Sequence, residues 1–71
     1  MKSRFANHDV LVSIITNRST VEVRMNDGIR VVDLYVQGAL RYTLTEHWLR
    51  NYYEVTHQTK PEHIALMFKV L

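Results

Sequence analysis

Four histidines, His8, His47, His57 and His63, are the side chains best suited to hold a metal or shuttle a proton, and their spacing supports neither role. No pair forms the His-x-His or His-Glu-x-x-His pattern that sets two imidazoles on one face of a strand or helix. With no cysteine in the chain, a zinc site also lacks a thiolate to complete it. Gly28 and Gly38 are the only glycines, too few for a phosphate-cradling loop or a dinucleotide fingerprint. The serines and threonines sit in no recognisable nucleophile context. These observations argue for a protein that is not an enzyme and takes no metal or cofactor.

Asp33 is the acid that stands out, because it interrupts Ile29 to Val36, a run apolar on both alternating faces apart from Arg30. A carboxylate there needs a hydrogen-bond partner, and the phenol of Tyr42 is expected opposite it on the next strand. The functional alternative is an acid with a raised pKa in a pocket. No second acid, base or nucleophile is obviously placed beside it.

The elements that must position these groups begin with that run, which belongs in the middle of a sheet. Val21 to Met25 alternates cleanly before it, and Asn26-Asp27-Gly28 joins the two as a β-hairpin. A three-residue loop pairs Met25 with Ile29 and Val23 with Val31, so that the apolar sets share a face. A two-residue Asp-Gly loop would set Met25 against Arg30, so the longer loop is expected. It carries a cost, since Arg24 then lies opposite Arg30. Val10 to Thr16 reads as a first strand, and Gln37-Gly38 as a reversal into a strand over Ala39 to Leu44.

Thr45 can cap a helix over about 46–55 that sets Trp48, Tyr52 and Val55 on one side with Leu49 and Tyr53 alongside; Trp48 is expected inside and Tyr53 outside. A strand over 51–56 is the alternative. The C-terminal stretch, about 62–70, fits both templates. Ile64, Leu66, Phe68 and Val70 alternate as in a strand, whereas Pro61-Glu62 opens a helix with Ile64, Met67, Phe68 and Leu71 as its stripe. The expected fold is α+β: an antiparallel meander of three to four strands, central strand about 29–36, with the 46–55 helix on one face and a C-terminal helix or strand.

Seventy-one residues make one small domain, 1–71, with residues 1–7 a flexible arm in which Phe5 can pin to the body. A chain of that length buries only about 60% of its unfolded surface, and a deep catalytic cleft is not expected. No run approaches the roughly 18 apolar residues of a membrane span, and a soluble, cytoplasmic protein is expected. The net charge of +2 is spread along the chain with no basic stripe.

On these registers the second face of the sheet carries Val10, Val12, Ile14, Val32, Leu34 and Val36 among Glu22, Arg24, Arg30 and Arg41, which is too apolar for water. It is covered by the C-terminal segment, by a second copy in a homodimer, or by an unlike partner. The function expected is a small non-catalytic interaction protein, a regulator or inhibitor. It would bind a macromolecule, protein before nucleic acid, through Arg24, Arg30 and Arg41 around Val12, Val32 and Leu34. The alternative is a nucleic-acid-binding domain using Arg41 and Arg50 on phosphates with Tyr52 and Tyr53 stacking on bases.

Overall fold

The computed structural model describes residues 1–55 and 62–71, excluding the side chains of 53–55. The Tyr53 side chain, His57 and Pro61 therefore lie outside what the structure describes. Four strands form an antiparallel meander in the order β1 (Val12–Ile15), β2 (Ser19–Asn26), β3 (Ile29–Val36) and β4 (Ala39–Thr45). Two helices, α1 (Glu46–Val55) and α2 (Glu62–Phe68), pack on one face. The α+β architecture, the strand as far as Val36 and the 46–55 helix are as the sequence predicts, and the C-terminal segment takes the helical alternative.

The hairpin loop corrects the expected register. Asp27 (φ 52°) and Gly28 (φ 77°) both sit in the left-handed region, making a two-residue turn that pairs Asn26 with Ile29 and Met25 with Arg30. Asp-Gly is among the strongest signals for that turn, whose twist matches the flanking strands. The one-residue difference moves β3 to the opposite parity and changes every cross-strand neighbour. Val21 and Val23 now face Leu34 and Val32, while Glu22 faces Asp33. Arg24 lies opposite Val31, so the expected clash with Arg30 does not arise.

In the β1–β2 pair Val12 lies opposite Val23 and Ile14 opposite Val21. In the β3–β4 pair, a bulge between Leu34 and Tyr35 moves Tyr42 opposite Leu34 and brings Thr43 opposite Asp33. Arg41 is the extra residue, between Leu40, which pairs with Tyr35, and Tyr42. A bulge of this kind leaves no mark in period-two alternation.

Burial follows parity. The helix-covered face holds Val21, Val23, Val32 and Leu34 against Leu49, Ile64 and Met67, with Phe68 and Leu71 packed at its margin. Thr45 Oγ1 accepts the Trp48 amide at 3.0 Å, capping α1 as its sequence indicates. The opposite face holds Thr20, Glu22, Arg24, Asp33 and Tyr35, and the first nine residues lie across it. This stretch, expected as a flexible arm, forms its own small loop: Lys2 bridges Asp9, and the Ser3 amide donates to the His8 carbonyl at 2.9 Å.

Candidate interaction surface

Two regions have the residue types of a site, one inside and one outside. Inside, Glu22 and Asp33 are directly opposed and both 1% exposed. Each has its own donors. Glu22 accepts from Ser3 Oγ at 2.6 Å and from the Arg4 amide at 3.1 Å. Asp33 accepts from Thr43 Oγ1 at 2.6 Å and from Arg24 Nε at 2.8 Å. His8 Nε2 lies 3.9 Å from Asp33 Oδ2 and has no hydrogen-bond partner among the described residues. Phe5 stacks on Tyr35 at 4.3 Å between ring centroids, closing the cluster from above.

Arg24 is held more firmly in its charged form by the hydrogen bond to Asp33, against the opposing effect of burial. Burial pushes the Tyr35 phenol above its usual value, and the negative charges of Asp33 and Glu22 add to the shift; the bond to Ser3 and the charge of Arg24 oppose it. The unfolded chain therefore releases this proton first. Stability from Tyr35 is fully present below about pH 10 and is lost as pH rises through the folded-state value. Tyr35→Phe keeps the ring on Phe5 and is expected to flatten the loss of urea midpoint above that pH; an unchanged slope would show that Tyr35 is not its source.

With its acids bonded and the arm over them, this cluster ties the N-terminus to the sheet. It is the use found for Asp33, with Thr43 and Arg24 in the place expected of Tyr42. No spacing in the sequence placed Ser3, His8 or Thr43 beside these acids. Their signal was indirect: Glu22, Arg24 and Asp33 fall on one parity only with the shorter loop.

Outside, the residues expected to bind a partner do not come together. Val32 and Leu34 are fully buried in the core, and Arg24 is turned to the opposite face in its ion pair with Asp33. Val12 lies on β1 and Arg41 on β4, at opposite edges of the sheet. Arg30 is exposed near α1, its Nη1 3.7 Å from Glu46 Oε2.

Of the nucleic-acid set, Arg50 is committed to Glu46 through bonds of 3.1 and 2.8 Å and lies over the Phe68 ring. Tyr52 is half-buried and stacks on Trp48 at 4.8 Å. Arg41 is exposed, and the Tyr53 side chain lies outside what the structure describes.

What the structure brings to the surface instead is Trp48, 43% exposed although expected inside; on β4, Tyr42 is exposed on the helix-covered side, its ring 6.2 Å from that of His63, and Leu40 on the side of the N-terminal arm. Helical spacing places Trp48 and Tyr52 on the flank of α1 opposite Glu46 and Arg50, of which Arg50 lies over Phe68 of α2 and Glu46 beside Arg30 of β3. α1 packs against β3 and β4, and Arg41, the extra residue of the β4 bulge, is exposed. The chain has no other tryptophan. No protein-family model matches the chain, and neither a curated protein nor a solved structure aligns with it significantly.

Proposed function

We propose that the protein is a small non-catalytic interaction module that binds a protein partner through the β4 rim and the outer flank of α1, with Trp48 and Tyr42 as apolar anchors and Arg41 as the polar contact. The observation that carries this reading is Trp48. A large ring left 43% exposed, held in one orientation by the stack on Tyr52, loses little conformational freedom when covered. Trp, Tyr and Arg are also the side chains over which binding energy most often concentrates. Arg41 has no ion-pair partner among the described residues, so its charge is available to an acidic group across an interface.

The test compares capture from a lysate of the source cells by the wild-type protein, Trp48→Ala and Arg41→Glu. A partner retained by the first and lost from both variants supports the reading, and each substitution is expected to weaken its binding by about 30-fold or more. Retention by all three baits alike would end it.

A second reading is favoured by the same stack, since an exposed indole and an exposed arginine also suit an unpaired base over Trp48 and a phosphate on Arg41. Anisotropy of labelled single-stranded DNA and RNA at about 50 and 200 mM salt separates the two, because phosphate-driven binding falls steeply over that range. Salt-sensitive binding lost in Trp48→Ala would make nucleic acid the ligand.

A further inference from the structure

We propose that β1 is the edge at which a second copy of this chain adds, joining two sheets through an antiparallel β1–β1 pair. This goes beyond the β4 surface and uses none of its residues. The Thr16 amide donates to the Ser19 carbonyl at 2.8 Å. Alternation from that bond, with Ile14 opposite Val21 and Val12 opposite Val23, turns the backbone groups of Val12 and Ile14 toward β2. Those of Ser13 and Ile15 point away, to the free edge.

Proteins blunt such edges with charge, proline or a bulge. The other edge of this sheet has two of these devices, the bulge and Arg41. β1 has none. Val10 to Asn17 contains no charged residue and no proline, and Leu11, Val12 and Ile15 are each about half exposed.

The edge suits its own copy. A two-fold axis at Ile14 sets Ser13 opposite Ile15 of the second chain, each residue exchanging both its free backbone bonds, and every contact is made twice. Ile14 meets its counterpart on the helix-covered side and Val12 meets Thr16. With no charge on the strand, self-pairing opposes no like charges.

Beyond the strand ends the charges are complementary. Asp9 precedes β1 and Arg18 follows it at the same remove, so an antiparallel pair brings the Arg18 end of one chain to the Asp9 end of the other. Arg18 has no ion-pair partner among the described residues. Asp9 has only the exposed Lys2 at 3.7 Å. A parallel pair would set like ends together.

Light scattering with size exclusion, from about 10 μM to 1 mM protein, tests this. The expected mass rises from 8.4 kDa toward twice that value. Ser13→Pro removes an N–H that the single chain does not use in its sheet, and is expected to weaken association about tenfold or more with an unchanged circular dichroism spectrum. Ile15→Lys serves as a second block if the proline perturbs the fold. Arg18→Asp is expected to weaken the dimer, and adding Asp9→Arg to restore it.

A mass of 8.4 kDa throughout overturns the proposal, as does a dimer that Ser13→Pro and Ile15→Lys both leave intact. So does a monomer whose β1 amides gain protection only when a different protein is added. A monomeric result leaves the β4 reading standing, because the two surfaces lie on opposite edges.

Discussion

Asp33→Ala is expected to leave the protein largely unfolded without denaturant. Asp33 is 1% exposed and accepts the Arg24 Nε and Thr43 Oγ1 bonds at 2.8 and 2.6 Å. Its removal strands the Arg24 guanidinium, which is 20% exposed. Breaking such a pair from one side costs about 3–5 kcal/mol, because the remaining charge stays desolvated without compensation. A core in a chain of this length supplies about the same amount. The two nearly cancel.

Glu22→Gln makes the contrast that isolates the charge. Among the described residues Glu22 accepts from the uncharged Ser3 hydroxyl and Arg4 amide and from no cation, so losing its charge strands none and relieves its opposition to Asp33. Its urea midpoint is expected close to the wild-type value, with the transition followed by circular dichroism. Asp33→Ala folding with a midpoint equal to that of Glu22→Gln would show that the Arg24 pair contributes nothing.

The same three charges explain how far the fold could be read in the sequence. The elements were legible because each has a local signal: alternation over Val21–Met25, the Gln37-Gly38 turn, the Thr45 cap. Register was not, since Ile29 to Val36 is apolar on both parities and either loop length buries a plausible set. Pairing on apolar residues alone chose the three-residue loop. Pairing on polar ones would have chosen correctly, because Glu22 and Arg24 share a face with Asp33 only when Asp27 and Gly28 alone form the turn. A buried acid costs more to misplace than a valine, so it is the better witness to register.

The surface was less legible than the fold for a related reason. The arginine-rimmed face depended on the rejected register, and with the two-residue turn its apolar centre, Val32 and Leu34, became the core. The N-terminal arm was equally hidden. Ser3 reaches a residue 19 positions away, and a contact over that separation has no sequence period to reveal it. Trp48 was misplaced because helical spacing gives the relative positions of side chains around the axis but not which one points at the sheet.

Trp48 and its neighbour Leu49 provide the second large test, because they occupy adjacent positions with opposite expected outcomes. Leu49 is 0% exposed and packs with Val32, Leu34, Ile64 and Met67. Truncating a leucine in such a site costs about 2–5 kcal/mol in lost transfer energy and unfilled cavity, enough to remove most of the stability of a chain this small. Trp48→Ala gives up a half-exposed ring and one aromatic stack, the latter contributing about 0.5–1.5 kcal/mol, and the variant is expected to remain folded. Urea titrations of both variants, read by circular dichroism so that the lost indole does not matter, should therefore separate widely. If Trp48→Ala is as damaging as Leu49→Ala, the indole is a structural residue and cannot be the exposed anchor of an interface. If the separation holds, the chain tolerates losing its largest side chain, stability does not explain that ring's place on the surface, and the binding reading proposed for it stands to be tested by capture.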